Sequence, residues 1–177
     1  MIRFRQNFTG FTLVELMVTV AVIAVILVIG VPGIANMKRS GDLTTTSKEL
    51  VVALNYARAE AVRQGASVQV GAIGTWGGGW NAGTNLDAAD PDDWVVYRQF
   101  KAPPTGSSVA LSIGAAPITF AALGNVSAAS CFDISVTGSS LVRSVDISPS
   151  GRVTTCKTSC AIRYDATDPD YDPTNCD

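Results

Sequence analysis

The sequence contains no histidine. That absence removes imidazole metal ligands, Ser-His-Asp triads and Cys-His nucleophile pairs together. A strong charge of either sign is also missing, since 13 basic and 15 acidic residues leave a formal net charge of −2 over 177 residues. The chain as a whole lacks the positive field that nucleic-acid binding rests on, so any such role has to be local. No acidic residue precedes Glu15, and no charged residue other than Glu15 lies between Arg5 and Lys38. Cysteine is confined to the last third, as Cys131, Cys156, Cys160 and Cys176. An even number in an exported chain predicts disulfides, with three connectivities open. Zinc is the alternative, but Cys156 and Cys160 stand four apart and the other two are solitary, which suits a metal site poorly.

Apolar residues make up 47% of the chain, enough for one ordinary domain plus a membrane segment. The run from Leu16 to Ile29 is almost unbroken Leu, Val, Ile, Ala and Met. With residues 30–35 it reaches the ~20 residues that cross a bilayer as a helix. Arg3 and Arg5 precede it, so the positive-inside tendency keeps residues 1–10 in the cytoplasm and sends the rest outward. A conventional secretory signal, cut after Gly33-Ile34-Ala35, is the competing reading. Glu15 argues against it, because a charge at the centre of a membrane helix costs ~2.5–3.5 kcal/mol on insertion scales and somewhat less near the interface. A disposable signal has no use for that charge.

Beyond the apolar run, residues 38–64 turn amphipathic, with Leu43, Ser47, Leu50, Leu54, Ala57 and Ala61 at alternating steps of four and three. Lys48, Glu49, Arg58 and Arg63 fall mostly off that face. Gly65 stands where a helix terminator belongs. A single helix over residues 12–64 would span ~80 Å at 1.5 Å per residue. Gly30, Pro32 and Gly33 are expected to kink or loosen it, with Gly30 and Pro32 as the principal candidates.

From Ser67 the texture changes to short β-like runs at 68–73, 94–100, 109–113, 118–121, 132–137, 141–148, 152–156 and 161–164. Residues 138–140 and 149–151 read as hairpin connections, and the Gly- and Asp-rich stretch 75–93 as a long loop. The expected fold class is α+β: a long N-terminal helix, membrane-embedded in its first half, packed on a mainly antiparallel sheet.

The segment Thr9-Gly10-Phe11-Thr12-Leu13-Val14-Glu15-Leu16 resembles the processing site of type IV prepilins and type II secretion pseudopilins. The resemblance implies cleavage after Gly10 by prepilin peptidase, N-methylation of Phe11, and pairing of Glu15 with the terminal amine of a neighbouring subunit. Physically, a carboxylate and an ammonium in hydrocarbon each cost less when paired. Removing residues 1–10 deletes Arg3 and Arg5 and no acid, which takes the formal charge from −2 to −4.

A narrower likeness follows. Leu54-Asn55-Tyr56-Ala57-Arg58-Ala59-Glu60-Ala61-Val62-Arg63 is similar to a helix of the FimT/FimU minor pilins and H-type pseudopilins, Trp94-Val95-Val96-Tyr97 to one of their strands, and Ser150-Gly151-Arg152-Val153 to their late glycine-arginine turn. Arg58, Glu60 and Arg63 are alternatively a solvated helix face. The likeness implies a pilin fold: a leader at 1–10, a transmembrane and assembly half-helix at 11–37, and a globular head at 38–177.

The function implied is that of a structural minor pilin, with no enzymatic activity and no cofactor. Its expected partners are other major and minor pilins, prepilin peptidase and the inner-membrane assembly platform, with the head in the periplasm. A type II secretion pseudopilin is the alternative within the same architecture. DNA uptake is another, because some FimT-type pilins bind DNA through a glycine-arginine-x-arginine motif. Here Gly151-Arg152-Val153-Thr154 lacks the second arginine; Arg143, Lys157 and Arg163 supply charge, and Asp165, Asp168, Asp170, Asp172 and Asp177 oppose it. The acidic stretch 165–172 lacks the glycine and glutamate of an EF-hand and reads as a solvated tail rather than a calcium loop.

Overall fold

The computed structural model describes residues 11–85, 93–165 and 176. Its first element, α1, spans Leu13–Gln64. Thr12 opens it, its hydroxyl accepting a hydrogen bond from the Glu15 backbone N–H at 3.2 Å. Gly65 closes it in the left-handed region at φ 64°, while the Ala66 N–H reaches back to the Ala61 carbonyl. The helix passes unbroken through Gly30, Pro32 and Gly33, so the expected loosening does not interrupt it. Proline deletes one backbone donor, and the remaining bonds of a long helix suffice to carry the element past it.

The described residues form two units, one ending at Lys38 and the other beginning at Arg39. In the second unit, α1 buries the face its periodicity marks: Leu43, Ser47, Leu50, Leu54, Ala57 and Ala61 are all essentially inaccessible. Lys48, Glu49 and Arg63 remain exposed. Ala53, Ala57 and Ala61 have no bulk to hold the helix away from the core it shares with the sheets.

Eight strands follow: β1 (Val68–Ile73), β2 (Thr75–Asn85), β3 (Trp94–Phe100), β4 (Ser107–Ile113), β5 (Ile118–Phe120), β6 (Ser130–Val136), β7 (Val142–Ile147) and β8 (Val153–Cys156). They build two four-stranded antiparallel sheets rather than one, ordered β3-β2-β1-β5 and β4-β6-β7-β8. Val68, Val70, Trp80, Ala82 and Phe120 of the first sheet and Phe132, Ile134, Val145 and Ile147 of the second enter the same core as α1.

Two sequence expectations are corrected. The first half of the expected 75–93 loop is β2, an inner strand paired to both β1 and β3; residues 86–92 lie outside the described residues. Its glycines hide the alternation that would mark a strand, yet Trp80 and Ala82 point into the core and Gly83 lets the Val95 carbonyl approach where a Cβ would collide. Residues 161–164 are not a strand but part of α2 (Cys160–Tyr164). Ser159 caps α2 by accepting from the Ile162 N–H, and the Cys160 N–H donates to Asp133 Oδ1 at 2.8 Å. Four residues are too few for periodicity to distinguish strand from helix turn.

All four cysteines are oxidised, as Cys131–Cys160 and Cys156–Cys176. The first bond ties α2 to β6, and the second brings Cys176 beside β8 in an antiparallel bridge.

Candidate functional site

In the N-terminal unit the large apolar side chains from Phe11 to Val28 are each more than half exposed, 81% at Phe11. A continuous apolar surface of this length does not stay in water; it is long and apolar enough to cross a membrane. Glu15 sits in the first turn of α1, near the positive end of the helix dipole. The Thr12 hydroxyl accepting from the Glu15 backbone N–H is the half of a capping box that does not use the Glu15 carboxylate. Gly10 lies outside the described residues.

The second unit contains a junction that the sequence reading did not assign. Arg58, half-buried on α1, donates from Nε to the Gly124 carbonyl at 3.0 Å and from Nη2 to the Ser150 carbonyl at 3.1 Å. One guanidinium thus joins α1 to the turn after β5 and to the turn between β7 and β8. These turns also meet directly, through the Val126 N–H and the Pro149 carbonyl at 3.0 Å. Gly151 has φ 76°, and a Cβ there would overlap the Gly124 carbonyl oxygen, so the glycine of the glycine-arginine turn is required both by conformation and by space. The signal was present in the alanine-arginine step of the helix, but an arginine on a helix edge looks the same whether it meets water or a carbonyl.

Glu60 and Arg63 form an ion pair in which Arg63 is exposed and Glu60 half-buried. Arg63 Nε and Nη2 both donate to the Glu60 carboxylate, and Gln64 Nε2 adds a bond of 2.6 Å. The Arg63 hydrogen bonds, followed by that of Gln64, lower the Glu60 carboxyl to about 2. Gln64 also accepts from the Tyr97 hydroxyl at 3.3 Å, which brings β3 to the end of α1.

The four cations considered for DNA do not share one face. Arg143 on β7 is paired with Ile134 and shares a strand face with the core residues Val145 and Ile147, so it belongs to the core side of its sheet. Arg163 is on α2 against the other face, 4.0 Å from Asp146. Tyr164 donates to the same Asp146 at 2.5 Å, and burial followed by that bond pushes its phenol upward. Arg152 and Lys157 are exposed at the two ends of β8. Among the described residues no group of three or more Cys, Asp or Glu could hold a metal, and the thiols are consumed as disulfides. The acidic residues 168–172 and Asp177 lie outside the described residues.

Comparison with known proteins agrees with this architecture. A family model for the type II transport protein GspH matches residues 46–151, and one for the prokaryotic N-terminal methylation motif matches residues 5–31. No curated protein matches. Among solved structures, the type IV minor pilin FimU of Pseudomonas aeruginosa aligns in two crystal forms. One gives a TM-score of 0.57 at 24% identity over 66% of this chain and 90% of that one; the other gives 0.54 at 26% over 63% and 90%. The minor pseudopilin EpsH from the type 2 secretion system of Vibrio cholerae aligns with a TM-score of 0.51 at 15% identity, over 63% of this chain and 94% of that one. With more than half of its length matched, and the methylation motif on its apolar helix, the chain belongs to the type II transport protein GspH family.

Proposed function

We propose that the chain is a structural minor pilin of a type IV pilus, held in the inner membrane by α1 with its head in the periplasm and then incorporated into the filament or used to prime it. The observation that carries this reading is the N-terminal methylation motif on an exposed apolar helix that continues into a GspH head. Cleavage after Gly10 by prepilin peptidase frees the Phe11 amine for methylation, and the inner-membrane assembly platform moves the subunit into the filament. The Glu15 carboxylate then neutralises the terminal ammonium of a neighbouring major or minor pilin, and Gly30 and Pro32 give the helix room to adjust. No cofactor takes part.

The experiment is fractionation of cells making the full-length chain into membranes and sheared pili. Recovery in both supports the reading, and confinement to membranes contradicts it. A pseudopilin of a type II secretion system is the second reading, favoured by the family description and the EpsH likeness. Its mark is loss of protein secretion, with normal piliation, when the chain is deleted. DNA uptake has less support, since Arg163 is already answered by Asp146 and the second arginine of the turn is absent.

A further inference from the structure

We propose that Leu123 and Arg152 form a pinned knob on the head that inserts into a different pilin-fold subunit, one presenting an apolar pocket beside a carboxylate. The proposal rests on the filament reading above and names the contact that places this subunit next to its neighbour.

Leu123 is 88% exposed, the highest value among the large apolar side chains described. A single exposed leucine is ordinary on a protein surface. This one differs because its turn is fixed on every side. The Gly124 N–H donates to the Ala121 carbonyl at 2.7 Å and the Ala121 N–H to the Asn125 carbonyl at 2.8 Å. Arg58 holds the Gly124 carbonyl, and Gly151 packs against it. Three separated parts of the chain therefore converge to hold an apolar side chain in solvent. A side chain presented on a rigid turn loses little freedom on binding, which is how a small contact becomes a strong one.

Its surroundings specify the partner. Val62 of α1, 55% exposed, borders the turn, with Cγ2 3.0 Å from where a Cβ on Gly124 would stand. Arg152 follows Gly151 directly and is exposed, with no acidic partner among the described residues. The charge of Arg58 is solvated by two neutral carbonyls, which accept its hydrogens without cancelling it. The knob is thus apolar at its tip and positive at its flank, and its complement is an apolar pocket with a carboxylate at the rim. Among the described residues, the hollow floored by Gly71 and walled by Trp94 and Val96 and the one between Pro117 and Ala128 both lack an acidic residue, so neither supplies that socket. At neither hollow does a second copy offer a carboxylate-rimmed socket, so the knob is assigned to a different subunit. A nucleic-acid backbone would engage Arg152 but leave Leu123 in water.

The test places the photo-crosslinking residue benzoylphenylalanine at position 123 of the full-length chain in its own cells. After irradiation, the expected adduct joins it to a different protein bearing the N-terminal methylation motif, identified by mass spectrometry, and falls at least fivefold with Arg152→Glu. Adducts with its own copies only, nuclease-sensitive adducts, or a yield no higher than from a probe at Leu141, an apolar control that is 56% exposed, would each overturn the proposal. A second measurement uses Leu123→Asp, which alters no core contact and should melt like the wild type. Its amount in sheared filaments should fall at least fivefold at equal membrane level. Wild-type recovery of that variant would overturn the knob alone, whereas absence of the wild-type chain itself from filaments would overturn the filament reading.

Discussion

Gly151 and Gly124 meet backbone to backbone, so closely that a Cβ on Gly151 would occupy the space of the Gly124 carbonyl oxygen. Arg58 bonds to that same oxygen. One point on the head therefore depends on a left-handed glycine, a carbonyl and a guanidinium from three distant stretches of chain.

Gly151→Ala combines positive-φ strain with a backbone collision and should lower the stability of the head by about 2–4 kcal/mol, read from denaturant unfolding. Arg58→Ala leaves two carbonyls short of a charged donor at a partly exposed site and should cost about 1.5–3 kcal/mol. Arg58→Lys should recover only part of this, because an ammonium lacks the fork that spans both carbonyls. Unfolding midpoints equal to wild type for all three would mean that the junction is incidental.

The disulfides close loops with sequence separations of 29 and 20 residues. Loop-closure entropy assigns each roughly 3–4 kcal/mol, in a model that neglects residual structure in the unfolded chain. Alkylation of the exported protein without reduction should label no cysteine. Partial proteolysis should recover peptides linked as 131–160 and 156–176, and any other pairing would contradict the fold around α2.

Much of this arrangement was legible in the sequence. The burial of Leu43, Leu50, Leu54, Ala57 and Ala61 follows from helical spacing, and β1 and β3 start and end where their β-branched and aromatic runs do. What escaped was carried by residues without a periodic signature. The glycines of β2 conceal an inner strand, and α2 is a single turn fixed by Asp133, Ser159 and a disulfide. The role of Arg58 depends on carbonyls 66 and 92 residues away, which no local pattern encodes.

Glu60 titrates at about 2 instead of the usual 4.5 because Arg63 and Gln64 bind its charged form. A depressed carboxyl contributes stability above its unfolded value and loses it as pH falls through the folded one, so this contribution is complete above pH 4.5 and fades toward pH 2. Arg63 is exposed and solvent screens the pair from its side, so the effect is small. Glu60→Gln should melt slightly below the wild type at pH 7 and converge with it in acid. A gap that widened on acidification would assign the shift to another cause.

Glu15→Ala removes a carboxylate from the head of the apolar helix, so membrane insertion should be as good or better. Its pairing with a neighbour's ammonium is lost, and the amount in sheared pili should fall several-fold while cleavage and the melting of the head stay unchanged. The hydrogen bond from the Glu15 backbone to Thr12 survives the substitution, so loss of the capping interaction does not confound the result. Wild-type incorporation would reduce Glu15 to a helix-terminal acid with no part in assembly.

Intact-mass spectrometry of the protein recovered from sheared filaments distinguishes a processed filament subunit from a conventionally secreted domain. The expected mass is that of a chain starting at N-methylated Phe11 and carrying two disulfides. A chain starting at Asn36, cut by a conventional signal peptidase and absent from filaments, would contradict it.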